Sequence, residues 1–117
     1  MSLNTFIDKI KTGEPVSFSE TMAVITDYYH YQPSRFSNGI GEKQLVNDAG
    51  SNEGSCKIFA FALIHQLSKQ QTLELFGDYY HKDVLLNPDG IDHQNIRNFM
   101  KFGWEGINFE QPALTAR

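Results

Sequence analysis

One cysteine, Cys56, stands among 117 residues, which excludes an intramolecular disulfide and a zinc cluster built from cysteines. Long apolar runs are missing as well. The longest, residues 58–64, falls far short of the roughly 20 residues that a bilayer-spanning helix needs. Positive charge is sparse, with 10 Lys and Arg against 14 Asp and Glu and a net charge of −4. Proteins that grip a phosphate backbone concentrate cations, so neither nucleic acid nor membrane is expected as a partner. The first ten residues show no basic start, apolar stretch and small-residue cleavage site, and the expectation is therefore a cytoplasmic protein. Prolines number four, and no low-complexity stretch divides the chain, which predicts one domain over residues 1–117. What the sequence has in quantity is aromatic residues: nine Phe, five Tyr and one Trp, each able to bury roughly 150–250 Å².

Leu3, Phe6, Ile7 and Ile10 recur at helical spacing and predict a first helix, ended by Gly13 and Pro15. Ser17-Phe18-Ser19-Glu20 has the spacing of a capping box and opens a second helix, with Phe18, Met22, Ile25 and Tyr29 inward. Asn38-Gly39 signals a turn, and a small hairpin is expected to join residues 35–37 to residues 44–47. Residues 47–54 read as a polar loop. Over residues 56–67 only Lys57, His65 and Gln66 interrupt the apolar residues, and they share no face. A helix apolar all round is a buried helix, with Ser55 as its N-cap. Ser68 opens a fourth helix carrying Leu73, Phe76 and Tyr80 on one face. After the turn Asn87-Pro88-Asp89-Gly90, Asp92 is expected to cap a fifth helix over residues 93–102, with Ile96, Phe99 and Met100 inward. Residues 107–109 add a strand beside the hairpin. The class is α+β: about five helices around a buried central one, with a small sheet, a core over residues 3–109 and a loose tail over 111–117. Shifting the chain by 51 places matches Asp27-Tyr28-Tyr29-His30 with Asp78-Tyr79-Tyr80-His81. Two similarly capped amphipathic helices account for that echo without a duplication.

Four groups of residues invite chemistry. Cys56, in the first turn of a helix capped at Ser55 and beside Lys57, is placed where the helix dipole lowers a thiol pKa. His93 is the candidate base, its ring oriented by Asp92 or Asn95. Set against this nucleophile reading is a small buried cysteine held by packing. His81, Asp83, Asp89, Asp92 and His93 offer metal donors within 13 positions. An EF-hand register with Gly90 sixth places Leu85 first and Ile96 twelfth, which binds no calcium, and no zinc spacing fits. No metal and no cofactor is expected. Arg97 and Lys101, at i and i+4 beside Trp104, suit a phosphate or an acidic partner, or a solvated face near a helix C-terminus. The amides Asn38, Asn47, Asn52, Gln94, Asn95 and Asn98 either satisfy loops, fix a ligand or hold two segments together. Asn52, Ser55, Asp92, Asn95, Arg97 and Trp104 are the candidate binding residues.

The segments Phe36-Ser37-Asn38-Gly39, Asn47-Asp48-Ala49-Gly50, Asn52-Glu53-Gly54-Ser55-Cys56-Lys57-Ile58-Phe59-Ala60-Phe61, Leu75-Phe76-Gly77-Asp78-Tyr79-Tyr80 and the run Pro88 to Met100 followed by Gly103-Trp104 resemble the HopJ type III effector family. The likeness spans residues 17–109. It implies a small single-domain protein of Gram-negative bacteria, named after an effector injected into host plant cells. It supplies no established activity and so no catalytic residues. Three readings stand side by side. One is a binding module with a host or bacterial protein partner, secreted into host cells by a type III system, its pocket between loop 47–54 and the start of the last helix. Another is a resident cytoplasmic protein whose motifs are structural. The third is a cysteine-dependent hydrolase or transferase using Cys56 and His93. A monomer or weak dimer is expected.

Overall fold

The computed structural model describes residues 1–117. Along it run α1 (Leu3–Lys11), α2 (Phe18–Tyr28), β1 (Tyr29–Tyr31), β2 (Phe36–Asn38), β3 (Leu45–Asn47), α3 (Glu53–Ile64), α4 (Lys69–Glu74), α5 (Gln94–Phe102), β4 (Ile107–Phe109) and β5 (Leu114–Ala116). Short 3₁₀ turns occupy Gly41–Lys43 and Gly103–Gly106, and Tyr79–Val84 coils as a π-helical turn. The expected class, a mainly helical α+β domain, is the one observed.

Helix α3 is the dry centre that its composition demands. Ile58, Phe59, Phe61 and Ala62 have no exposed surface, and each large side chain so buried contributes roughly 1.5–3 kcal/mol. Phe59 is the hub. Its ring meets Phe36 of β2, Phe76 after α4 and Trp104 of the last 3₁₀ turn edge-on, and Phe99 of α5 at 4.9 Å. The helix stops sooner than the apolar run does. Gln66 turns left-handed at φ 53°, and Leu67 N–H bonds Ala62 O while Gln66 N–H bonds Leu63 O, the paired bonds of a Schellman ending. Leu63 and Ile64 are consequently half exposed, and Leu67 is buried beyond the helix.

Both capping boxes form, Ser17 with Glu20 and Ser68 with Gln71. The inner face of α2 is Thr21, Val24 and Ile25, rotated from the expected one, because the Thr21 hydroxyl donates to Leu75 O at 2.9 Å inside the core. Phe18 and Met22 are only partly covered. The predicted hairpin pairs Phe36 with Asn47 and Asn38 with Leu45, and β4 joins the other edge of β2, giving the antiparallel order β3-β2-β4.

Two expectations fail. The tail is not loose: β5 pairs antiparallel with β1, Ala113 and Leu114 are buried, and Arg117 N–H bonds Tyr28 O at 3.1 Å. An apolar pair next to an open strand edge supplies enough burial and hydrogen bonding to fix a chain end. The repeated Asp-Tyr-Tyr-His adopts two structures, running into β1 in the first copy and forming the π-helical turn in the second.

His65 caps the exit of α3 and meets the Tyr29 hydroxyl at 2.6 Å. Burial, and then the charge of Lys11, hold its imidazole below the ordinary value of 6.5. The unfolded chain therefore binds the proton first as pH falls. The contribution of His65 to stability is fully present well above 6.5, is lost as pH falls through that value, and stops changing once the folded imidazole is protonated. Denaturant titrations between about pH 7.5 and about pH 5 are expected to show a smaller loss of stability in His65→Gln than in the wild type. Equal losses would remove His65 from that role.

Candidate functional site

The start of α5 is locked to the hairpin by buried amides. Asn95, in the first turn of α5, accepts at Oδ1 from Asn38 Nδ2 at 3.0 Å and from Asn47 Nδ2 at 3.1 Å. Its own Nδ2 donates to Asn47 Oδ1 at 2.9 Å, and its backbone carbonyl accepts from Asn38 Nδ2 at 2.8 Å. Asn52 Nδ2 reaches Asn47 Oδ1 at 2.7 Å, and Asn98 Nδ2 donates to Asn38 O and Lys43 O. Five of the six amides singled out in the sequence thus join β2, β3, the entry of α3 and α5. Gln94 stays apart, bonded to Ile91 O.

Beside this network opens a cleft of about 450 Å³. Asn52, Gly54 and Ser55 border it at the entry of α3, and His93, Gln94, Asn95 and Ile96 at the entry of α5. Both helices are preceded by a left-handed residue, Asn52 at φ 52° and His93 at φ 49°, and neither has a side-chain cap. Asn and His are among the few side chains that tolerate this region, at a cost of about 1–3 kcal/mol each. The first internal bonds are Cys56 N–H to Asn52 O and Arg97 N–H to His93 O, so the preceding amides lack helical partners. Phe18, Phe76 and Tyr79 add aromatic walls. Phe18 packs edge-on to Tyr79 at 5.0 Å, and Tyr79 faces the His93 ring at 5.2 Å. Gly54 permits this seating, since a Cβ there would lie 2.9 Å from Phe18 Cζ.

Several sequence expectations are corrected by this geometry. Ser55 is not the cap of α3, which starts a turn earlier behind Asn52. Cys56 consequently lies past the free amides of the first turn. It is 1% exposed, its thiol faces Ser34 O at 3.7 Å, and it does not line the cleft. Burial pushes the thiol pKa up, opposite to the expected activation. Lys57 lies over the Tyr31 ring instead, at 4.7 Å. Asp92 does not cap α5. It binds Arg97, whose guanidinium holds the Asp92 carboxyl below the usual carboxylate range. The carboxylate that orients His93 is Asp83, at 3.0 Å, rather than Asp92 at 3.9 Å or Asn95. His81 pairs with Glu74 and Asp92 with Arg97, and no three of the suspected metal donors gather into one site. Trp104 donates to Leu67 O at 3.0 Å and packs on Phe99, away from the cleft. Ser55, Asn52, Asn95 and His93 are brought together; Cys56, Asp92, Arg97 and Trp104 are not among the cleft's residues.

Phe18 and Tyr79 as cleft walls, and Asp83 as the partner of His93, were missed by sequence reasoning. Phe18 reads as one more inward aromatic, and Tyr79 lines the cleft and Asp83 meets His93 from residues 79–84 that coil as a π-helix, a geometry that periodicity does not announce.

A small α+β domain with an amide-braced, aromatic-walled cleft is the class that fold and site define. Residues 3–114 match the family model described as HopJ type III effector protein. The chain belongs to that family. It is also similar, at 52% identity and a TM-score of 0.94, to the crystal structure of the unknown function protein VPA0580, with 100% of this chain and 95% of that one covered. No curated protein matches the chain.

Cys56 is expected to resist a maleimide or a disulfide reagent at about pH 7.5 and to label at the rate of global unfolding. Native-state labelling as fast as that of a free thiol would reinstate the nucleophile reading.

Proposed function

We propose that this HopJ family member is an effector that works by binding rather than by catalysis, taking its ligand in the cleft between loop 47–54 and the start of α5. One observation carries the reading: two helix entries with uncapped amides meet in a single aromatic-walled cleft. Helix entries favour groups that accept hydrogen bonds or carry negative charge. Faces of Phe18 and Tyr79 favour a flat or apolar body. The ligand class is therefore a molecule or partner side chain that joins an apolar body to an acceptor such as a carboxylate or phosphate. Secretion into host cells through a type III system is the role that family membership suggests for it.

The catalytic alternative loses its nucleophile, because the thiol is buried with its pKa raised. His93, engaged by Asp83 and by the Tyr79 ring, serves as a fixed wall with a polar edge.

Titrating the labelled protein with phenyl phosphate, followed by amide NMR, is expected to move Gly54, Ser55, Asn95 and Ile96 together and to saturate. Tyr79→Ala, which removes one aromatic wall from an exposed position, is expected to weaken that binding by about 3–10-fold. Absence of saturable shifts at these amides, or shifts scattered elsewhere, would refute the site.

A further inference from the structure

The order β3-β2-β4 leaves β3 with a strand on one side only, and the register fixes what its open side carries. Glu110 N–H bonds Arg35 O and Gly39 N–H bonds Gly106 O. Residues 35, 37 and 39 therefore direct their backbone groups at β4, and Phe36 and Asn38 direct theirs at β3. Phe36 with Asn47 and Asn38 with Leu45 are the hydrogen-bonded pairs of the hairpin, so the N–H and C=O of Val46, between them, face outward. Neither has a backbone partner elsewhere in the chain. Local turns close the flanks, where Gln44 N–H bonds Gly41 O and Ser51 N–H bonds Asp48 O. The open stretch is centred on Val46, which is half exposed.

This edge opens into the cleft. Leu45, Val46 and Asn47 all line it, although successive side chains of a strand point to opposite faces. A hollow that touches all three in succession meets the strand at its edge. The cleft is also one of three adjoining hollows. Val46 is shared with a groove of about 240 Å³ along Ser37, Gln44 and Asn108. Phe18 and Tyr79 are shared with another, of about 520 Å³, along Val16, Ser17 and Asp78. A compact molecule fills one hollow, whereas an extended chain reaches through all three.

We propose that the occupant of the cleft is an extended polypeptide segment of a partner protein, added to the sheet as a further strand beside β3. This rests on the cleft being the ligand site and names the class of ligand it takes. Open strand edges are templates for such pairing, in which main-chain bonds give affinity and hollows for alternate side chains give selectivity. Val46 N–H donates to a carbonyl of the segment, and Val46 O accepts from one of its N–H groups. Phe18 and Tyr79 receive an apolar side chain of the segment. An edge set in a recess between two helix entries admits a single chain and excludes the bulk of a second folded copy.

Panning a phage library of random peptides about twelve residues long against the full chain, and synthesising those recovered, supplies the probes. With such a peptide bound, amide NMR is expected to show Val46 N–H moving downfield and exchanging more slowly with solvent. Val46→Pro removes that N–H at an edge position where a strand accepts proline, and is expected to weaken peptide binding by about tenfold. Val46→Thr, which keeps the N–H, is expected to bind at least about fivefold more tightly than Val46→Pro. Circular dichroism checks that each variant folds. If the proline variant does not, methylating the backbone nitrogens of the peptide one at a time decides, with weakened binding expected at alternate residues only. Recovery of no binding peptide, wild-type affinity in Val46→Pro, or indifference to every backbone methyl would overturn the proposal. So would protection of Val46 N–H by raised protein concentration alone, which assigns the edge to a second copy. Phenyl phosphate that still shifts Gly54 and Asn95 in any of these cases leaves the cleft as the ligand site and removes only its peptide.

Discussion

The reciprocal bond between the side chains of Asn95 and Asn47 is the constraint on which the rest of the site depends. Both residues are buried, at 7% and 4% exposure. A buried amide without partners costs about 1–3 kcal/mol, so each must be satisfied by the other or by a neighbour. Asn38 and Asn52 complete the set. The consequence is geometric: α5 can enter the domain at only one position relative to the hairpin, and α3 must begin where Asn52 can reach Asn47. Two uncapped helix entries are thereby held facing one cleft.

Apolar packing sets the scaffold around that polar device. Phe59 gathers aromatic rings from β2, from the segment after α4, from α5 and from the last 3₁₀ turn. It brings the elements together without discriminating finely among nearby arrangements, because burial is non-directional. Amide bonds discriminate, since their angles and distances admit little slack. The division of labour explains why an aromatic-rich chain also carries a buried asparagine cluster. Phe6 and Ile10 of α1 are buried in the same core, so the N-terminal segment cannot leave its place without opening the domain's packing.

Much of this was legible in the sequence where one rule acted alone. The unbroken apolar run at Ile58 to Ala62 dictated a buried helix, Ser17 and Ser68 dictated capping boxes, and Asn38-Gly39 with Leu45-Val46 dictated the hairpin. A cleft does lie between loop 47–54 and the start of α5, where the binding-module reading put its pocket. Misreadings arose where two rules competed. Ser55 and Asp92 are good caps by type, but left-handed Asn52 and His93 hold the cap positions, with Asn52 bonded into the amide network and Asp92 engaged by Arg97. The tail looked polar and terminal, yet an open edge at β1 gave Leu114 somewhere to bury. Identical Asp-Tyr-Tyr-His segments took different forms, which only tertiary context decides. The left-handed Gln66 likewise ends α3 at a residue that carries no stop signal.

Membership of the HopJ family and the close likeness to VPA0580 extend over nearly the whole chain, so the network can be tested as a feature of the intact domain. The most direct measurement is a double-mutant cycle with Asn47→Ala, Asn95→Ala and both together, each assayed by denaturant unfolding. A cooperative network predicts strong non-additivity, with a coupling of about 1–3 kcal/mol, because the first deletion already leaves its partner unsatisfied. Effects that add to within about 0.5 kcal/mol would mean that the two amides act independently and that something else positions α5.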